Sequence, residues 1–308
     1  MKVHKTVLLN ETVDKLVMNE SGIYVDGTIG FAGHSSKIIS KLKKNGKLIG
    51  IDLDPYALEC SNKRLSKFPK KSYSLYKGNF SEFPNIIQKI GITKIDGLVV
   101  DLGISSYQID SEHRGFSYRF NSDLDMRFNP EDGISAKDLL SNINLSELEY
   151  IIKFYGEERQ YKKIAKNIYI EILKNNMNTT FDLKDAIENV ASKRYITKTL
   201  SRVFQSIRIA VNKEFEHLDL FLKNSLKYVK SGGRIAIITF HSIEDKIVKS
   251  FFKENSISCI CPHTFPICVC DNKAKLKIIN RKAIVASEVE INNNPRSRSA
   301  KLRVVECL

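Results

Sequence analysis

Acidic residues are scarce in this chain relative to basic ones. Its 308 residues include 35 Asp and Glu against 49 Lys and Arg, so the formal net charge is +14. An excess of this size favours an anionic partner, such as nucleic acid or a lipid surface. A generally basic proteome, in which Lys only aids solubility, is the alternative explanation.

Long apolar runs and a secretory leader are also missing. No apolar run approaches the roughly 20 residues that cross a bilayer. The first residues, Met1–Thr6, contain no signal-peptide core. We therefore expect a cytoplasmic protein with no membrane association. In that compartment the six cysteines are expected to be reduced thiols or metal ligands rather than disulfides.

Four of the cysteines form two C-x-C pairs, Cys259 with Cys261 and Cys268 with Cys270. Four thiolates can bind zinc tetrahedrally, but C-x-C is less typical of zinc sites than C-x₂-C. A zinc site and a metal-free loop both stay open. The spacing favours the metal-free loop, so we predict no metal.

Apolar strands that end in an acid dominate the first third of the chain. Three of them run directly into Asp26, Asp52 and Asp101. The strands alternate with helical segments, which predicts a parallel, doubly wound α/β sheet that binds ligands at its carboxyl edge. The predicted strands are Ile23–Asp26, Lys47–Ile51, Ser72–Tyr76, Asp96–Val100 and, much later, Arg234–Phe240.

Between Asp138 and Val229 the apolar spacing is helical, which predicts an insertion between the fourth and fifth strands. We divide the chain into a first part of the sheet domain (1–107), an inserted helical substrate-binding domain (108–212) and a second part with a C-terminal hairpin (213–308). The predicted helices are Ser146–Phe154, Glu157–Leu173, Asp182–Ala191 and one long helix, Ser201–Val229.

The turn after the first strand is rich in glycine but does not fit G-x-G-x-x-G, because Thr28 and Phe31 break the spacing. A dinucleotide pyrophosphate is therefore disfavoured. The turn begins with an acidic residue, Asp26, which favours binding of a cation such as the sulfonium of S-adenosylmethionine. Asp52 can accept both hydroxyls of a ribose. Helix capping is the alternative role for any one such Asp, but the set together favours a ligand.

Ordered strings of residues along nearly the whole chain resemble one known family. They are Val7–Glu11, Asp26–Ser35, Ile51–Pro55, Asp101–Asp110, Arg114–Ser117, Leu124–Arg127, Tyr155–Arg159, Phe204–Asn212, Phe240–Asp245 and Asn294–Arg303. This pattern resembles the RsmH (also called MraW) family, the 16S rRNA cytosine-N4-methyltransferases. The chain departs from the family's usual Pro, Arg, Gly and Pro at Thr6, Phe31, Ala32 and Tyr107, and in segment 197–203.

The resemblance implies a Rossmann-like class I S-adenosylmethionine-dependent methyltransferase sheet with an inserted all-helical domain. The implied reaction methylates the N4 amino group of one cytosine, position 1402 in the usual rRNA numbering. The implied partner is 16S rRNA within the small ribosomal subunit, with no obligatory protein partner. The residues implied to contact the cofactor are Ala32, Gly33, His34, Asp52, Phe80, Asp101 and Gln108.

Asp101 and Ser105 are the predicted catalytic residues. Cytosine N4 is a poor nucleophile because its lone pair is delocalised into the ring. A carboxylate that accepts a hydrogen bond from the N4 amino group would stabilise the positive charge developing on nitrogen. Other amino-methyltransferases have prolines after this Asp or Asn, whereas Ser105 and Ser106 stand here. The sequence leaves open whether Asp101 serves the cofactor's methionine end, the amine or both.

Several charged groups have two interpretations each. Arg159, Lys162, Lys163 and Lys166 are expected on one helical face, which either binds RNA phosphates or is simply solvated. The tail arginines Arg296, Arg298 and Arg303 are predicted to bind RNA; the alternative is that they pair within the tail hairpin. The group Arg114, Asp123, Asp125 and Arg127 either forms the outer wall of the pocket or orders a loop through ion pairs. His241 either acts beside the target base or is structural.

Two other functions stay open. One is a DNA cytosine or adenine amino-methyltransferase. The other is a non-catalytic RNA-binding ribosome assembly factor that keeps the cofactor fold, against which the intact Asp52 and Asp101 argue.

Overall fold

The computed structural model describes residues 5–261 and 269–308, without the side chain of Ser106. The chain divides into two compact units. The first contains the residues up to Gly103 together with Glu216–Leu308, and the second is Ile104–Phe215. Within the described ranges, no helix combines the length and apolar character that crossing a membrane requires.

A single mixed sheet forms the centre of the first unit. Its order is β3-β2-β1-β4-β5-β8-β6, and β7 pairs with β8. The first five strands are parallel, whereas β8 runs antiparallel to β5. The strands are β1 (Ile23–Asp26), β2 (Lys47–Asp52), β3 (Tyr73–Lys77), β4 (Ile95–Asp101), β5 (Val229–Thr239), β6 (Leu276–Ile278), β7 (Ile284–Val285) and β8 (Lys301–Cys307).

Both faces of this sheet are buried, as a doubly wound fold requires. Along β4, Leu98 and Val100 pack into one apolar core while Val99 packs into the other. All three side chains are fully buried, and each such burial stabilises the fold by about 1.5–3 kcal/mol. The helices of this unit are α1 (Leu9–Leu16), α2 (Gly33–Lys41), α3 (Pro55–Leu65), α4 (Phe83–Lys89), α12 (Ser242–Asn255) and α13 (Glu288–Asn293); α11 (Glu214–Tyr228) lies almost wholly within it.

The predicted fold class is confirmed. β4 ends at Asp101 and β5 begins at Val229, so the helical segment is inserted between the fourth and fifth strands. The C-terminal segment adds β8 beside β5, with β7 paired to it in an antiparallel arrangement. The assignment of separate functional domains to residues 1–107, 108–212 and 213–308 stays a prediction.

The second unit is helical and has its own apolar core. Fully buried side chains from four of its helices meet there, among them Leu140, Leu148, Ile164 and Leu183. The helices are α5 (Ser106–Asp110), α6 (Ala136–Asn142), α7 (Leu145–Phe154), α8 (Tyr161–Leu173), α9 (Thr180–Glu188) and α10 (Ile196–Asn212).

The prediction of one long helix over 201–229 is wrong, because the chain breaks it at Lys213. This residue has left-handed backbone angles, φ 48° and ψ 42°, and separates α10 from α11. The Asn212 side chain donates to Met126 O and accepts from Phe128 N–H, which fixes the end of α10. Apolar periodicity continues through the break, which is marked instead by the backbone of Lys213 and by these long-range hydrogen bonds.

Arg303, which is predicted to bind RNA, has a structural partner in this fold, and its contact with RNA stays a prediction. Its guanidinium makes two hydrogen bonds to Asp245, at 2.7 and 3.1 Å. Both side chains are about nine-tenths buried. Burial raises the pKa of Asp245, but the hydrogen bonds and charges of Arg303 and Lys301 outweigh it and lower that pKa below its ordinary value. Arg303 therefore joins β8 to the first turn of α12.

Replacing Arg303 with Met should lower the free energy of unfolding at pH 7 by about 1.5–3 kcal/mol, because the Asp245 carboxylate loses both guanidinium hydrogen bonds and keeps only Lys301, at 3.3 Å. The loss should shrink as the pH falls through the lowered pKa of Asp245, since protonation removes the charge. Chemical denaturation at pH 7 and in acid measures both effects. Arg298→Met is the control: Arg298 is exposed, so its effect should stay within about 0.5 kcal/mol. Equal effects of the two variants would contradict this role.

Candidate active site

The first carboxyl group at the carboxyl edge of the sheet belongs to Asp26, the last residue of β1. It is 2 % exposed. Its Oδ2 accepts a hydrogen bond of 2.6 Å from Ser35 Oγ, and its Oδ1 accepts one of 3.3 Å from Thr28 N–H. Burial raises its pKa to about 6 in spite of these bonds, and the charge of Asp52 raises it further.

The turn after Asp26 brings backbone close to the neighbouring strands. A Cβ on Gly27 would come within 2.8 Å of Val100 Cγ1, and a Cβ on Gly33 would overlap the Thr6 side chain. Ala32 has a φ of 56°, in the left-handed region. This conformation is easiest for glycine, which gives a physical reason for the glycine that the resembled family usually has there. The start of α2 after Ala32 has no side-chain cap.

Asp52 ends β2 and is tied to the same turn. Its Oδ2 accepts from Gly30 N–H at 2.8 Å and its Oδ1 accepts from Asp54 N–H at 2.9 Å. Burial raises its pKa to about 6, although both backbone bonds lower it. Because a carboxylate has about four acceptor positions, each oxygen of Asp52 can still accept a hydroxyl from a bound ribose.

Asp101 ends β4, next to β1, where the strand order of the sheet reverses. Ligands of open α/β sheets bind at such a reversal. Its backbone N–H donates to Thr28 Oγ1 at 2.7 Å. Its Oδ1 is buried and has no hydrogen-bond partner among the described residues. Burial raises its pKa well above the ordinary value, and the charges of Asp26 and Glu244 raise it further.

Phe80 and His34 complete the predicted residues of this unit. Phe80 follows β3 in the short 3₁₀ helix Phe80–Glu82, and its ring packs edge-to-face on Phe221 with a centroid distance of 5.4 Å. His34 is buried in α2, where its Nε2 is 3.0 Å from Val7 O. The ring of His34 therefore contacts the segment before α1, and its cofactor-binding role stays a prediction.

Buried negative charge characterises this edge. Asp26, Asp52 and Asp101 end three parallel strands, and the pKa of Asp101 also responds to Glu244. A phosphate would be repelled here, whereas a sulfonium or an ammonium group would relieve the repulsion between the carboxylates. The unpartnered Oδ1 of Asp101 and the open acceptor positions of Asp52 therefore fit S-adenosylmethionine, which has a cationic sulfur, an ammonium group and a ribose.

Ser105 and Gln108 lie in the second unit. Ser105 caps α5: its Oγ accepts from Gln108 N–H at 3.2 Å, and Gln108 Oε1 accepts from Ser105 N–H at 3.0 Å. The side chain of Gln108 is 7 % exposed. The reciprocal cap gives both residues a structural role, and their catalytic and cofactor-binding roles stay predictions.

Sequence reasoning assigned no role to three residues that shape the edge: Thr28, Ser35 and Glu244. Glu244 is 2 % exposed and accepts from Phe240 N–H at 3.0 Å. The spacing of His241 and Glu244 matches a helix-capping box. This spacing is the sequence feature that could have identified Glu244. His241 caps α12 and its Nε2 lies 3.0 Å from Glu244 Oε1, so the structural interpretation of His241 describes what is observed.

The charged group after the predicted cofactor segment is also internally bonded. Arg127 pairs with Asp125 at 2.7 Å, and Arg114 donates to the carbonyl oxygens of Arg127 and Phe128. The backbone of Asp123 pairs with that of Thr179 in an isolated antiparallel β-bridge. These contacts order the loop of the second unit.

Asp101→Asn should stabilise the protein without ligand at pH 8, with a rise in Tm of about 2–4 °C for each kcal/mol. A raised folded-state pKa means that the wild type loses stability as the pH rises from the unfolded value towards the folded one. The gain should therefore vanish near pH 4. Thermal unfolding across pH 4–8 measures it.

Asp96→Asn, at the other end of β4, is a control for which the expected change in stability has the opposite sign. Burial raises the pKa of Asp96, but its hydrogen bonds to Lys230 and Ile23 N–H lower it below the ordinary value. This variant should lose stability at neutral pH. A lower Tm for Asp101→Asn at pH 8 would contradict the proposed charge repulsion.

Comparison with known proteins agrees with this geometry. The chain is 44% identical over 307 residues to "Ribosomal RNA small subunit methyltransferase H" of Caldicellulosiruptor saccharolyticus, covering 99% of both chains. It is 44% identical over 303 residues to the protein of the same name from Fusobacterium nucleatum, covering 98% of this chain and 96% of that one. Among solved structures, an rRNA methylase from Streptococcus thermophilus matches at 11% identity and a TM-score of 0.40, covering 96% of this chain and 92% of that one. This likeness is too distant to bear on function.

The MraW methylase family matches residues 1–308, the whole chain. A family match of this extent agrees with the strand-end carboxylates and with their fit to a cationic methyl donor. The chain belongs to the MraW methylase family and uses S-adenosylmethionine as its methyl donor.

Proposed function

We propose that this protein methylates the N4 amino group of one specific cytosine of 16S rRNA in the small ribosomal subunit. The name of its relatives supports small-subunit ribosomal RNA as the substrate. The observation that carries the chemistry is the Asp101 carboxyl group, whose buried Oδ1 has no hydrogen-bond partner among the described residues. An amine is the kind of group that such an oxygen accepts a hydrogen bond from.

When bound, S-adenosylmethionine supplies a methyl group on a positively charged sulfur. Asp52 accepts the ribose hydroxyls with the acceptor positions that Gly30 and Asp54 leave open. Asp101 would accept a hydrogen bond from the N–H of the target amine, while the bound cofactor would supply its methyl group to the nitrogen lone pair. Its carboxylate stabilises the charge on nitrogen and receives the proton. The positive charge of a bound cofactor would lower the pKa of Asp101, against the effect of burial, and so favour its ionised form.

A basic and aromatic surface of the second unit supports RNA as the partner. Lys153 lies 4.8 Å from the ring centre of Phe154 and 5.3 Å from that of Tyr161. Tyr150 and Phe154 are about half exposed, so their rings are accessible for stacking on unpaired bases. The basic side chains on or beside α8 are exposed and can contact phosphates: Arg159, Lys162, Lys163 and Lys166.

The central test is mass spectrometry of nuclease-digested 16S rRNA from cells with and without the gene. The expected result is the loss of a single N4-methylcytidine. Transfer of labelled methyl groups to duplex DNA rather than to small subunits would favour the DNA amino-methyltransferase. Absence of S-adenosylmethionine binding in calorimetry would favour the non-catalytic assembly factor.

Asp52→Ala should mainly weaken cofactor binding, because it removes the acceptor for the ribose hydroxyls. Each lost charge-assisted hydrogen bond is worth about 1.5–3 kcal/mol, or roughly tenfold to a hundredfold in the dissociation constant. Saturating cofactor should restore much of the turnover. Calorimetry and single-turnover assays with small subunits separate the two effects. A turnover defect that saturation does not relieve would contradict a binding role.

Asp101→Asn should depress turnover at saturating cofactor and RNA by about 10²–10³-fold, the loss expected for one transition-state partner. The substitution keeps the shape of the side chain and removes its charge. Asp96→Asn, on the same strand, is the matched control and should keep its turnover. If Asp101→Asn loses only cofactor affinity, Asp101 is a binding residue and Ser105 becomes the next candidate for the acceptor.

Replacing Lys162, Lys163 and Lys166 with Ala should weaken binding to small subunits and reduce the salt dependence. Each lost phosphate contact lowers the slope of log K against log[salt] by about 0.7–0.9. The control is the triple substitution of Lys63, Lys67 and Lys71, which are exposed in the first unit and change the net charge equally. Equal slopes for both triple variants would mean that only net charge matters.

A further inference from the structure

The loop between α12 and β6 brings three cysteine sulfurs together. The Sγ atoms of Cys259, Cys261 and Cys270 all lie within 4.8 Å of one another. Those of Cys259 and Cys270 are 3.8 Å apart, far longer than the roughly 2.05 Å of a disulfide bond. Cys268 lies outside the described residues. The spacing of the sequence favours a metal-free loop, whereas the geometry of these three sulfurs favours a metal site.

The sulfur separation matches a tetrahedral thiolate site. With Zn–S bonds of about 2.3 Å, two sulfurs of a regular tetrahedron are about 3.8 Å apart. Soft thiolate ligands select zinc over hard cations such as magnesium and calcium. We propose that Cys259, Cys261 and Cys270 bind one structural Zn²⁺ ion, with a further ligand completing the tetrahedron.

Backbone hydrogen bonds to the sulfurs support this assignment. Ile260 N–H donates to Cys270 Sγ, and Val269 N–H donates to Cys261 Sγ, both at 3.4 Å. The two C-x-C segments therefore exchange reciprocal bonds. Groups that donate to metal ligands orient them and adjust their basicity, and an N–H donor stabilises the negative charge of a thiolate.

Among the described residues of this loop, few other contacts fix the conformation. Its base is closed by Lys275 N–H donating to Asn255 O at 2.8 Å and by Asn272 Nδ2 donating to Ile257 O at 2.7 Å. Beyond this base, Ile260 and Val269 are 67% and 72% exposed and contribute no buried core. A bound metal supplies the stabilisation that such a segment lacks.

Metal analysis of the full-length protein, purified under reducing conditions after growth with zinc, tests the proposal. We expect about one zinc ion per chain, held with a dissociation constant of about 10 nM or lower in competition with a chelator. Cys259→Ser, Cys261→Ser and Cys270→Ser should each lower the zinc content at least about tenfold. Cys60→Ser, in α3, is the matched control and should keep its zinc.

Two further measurements do not depend on methyl transfer. Cobalt(II) should give the charge-transfer and visible bands of tetrahedral thiolate coordination in the wild type and lose them in the three variants. Chelation should speed proteolytic cleavage within residues 256–275, while circular dichroism confirms that the rest stays folded. Zinc-free protein from zinc-supplemented cells, equal zinc in all variants, or a disulfide among these cysteines in the freshly isolated protein would each overturn the proposal. Loss of zinc with cofactor binding intact separates this proposal from the proposed function.

Discussion

The desolvation of carboxyl groups at one edge of the sheet is the constraint on which the site depends. Asp26 and Asp52 both have pKa values raised to about 6, and that of Asp101 is raised well above its ordinary value. Concentrating these groups costs stability in the protein without ligand. The cost is offset when a cation binds, so the same repulsion that weakens the free protein selects a positively charged methyl donor.

The parallel sheet is what makes this arrangement possible. Five parallel strands end at the same edge, and the order reverses between β1 and β4, so Asp26 and Asp101 end neighbouring strands. Burial of both sheet faces fixes the register, because a slip by one residue would turn Val99 and Val100 onto the wrong faces. Core packing therefore sets the positions of the carboxylates.

The other charged groups show that charge alone does not identify a binding residue. Arg303 has the charge expected of an RNA contact, yet it is buried against Asp245. The exposed lysines of α8 keep the positive charge at the surface, where it can act on phosphates. The difference between the two lies in their neighbours, which the sequence does not show.

The sequence by itself determined where the parallel strands of the first unit lie along the chain, the strand-end acids and the family, because alternating elements and ordered motifs are local features. The cap of α3 at Asp54 is equally local, because it follows from a preference of the first helical turn. Only the tertiary structure decided the break at Lys213, the pairing of Arg303 with Asp245 and the approach of Cys259 to Cys270. Each of these depends on residues that are distant in sequence or on hydrogen bonds between segments. Local propensity and periodicity carry no information about such contacts.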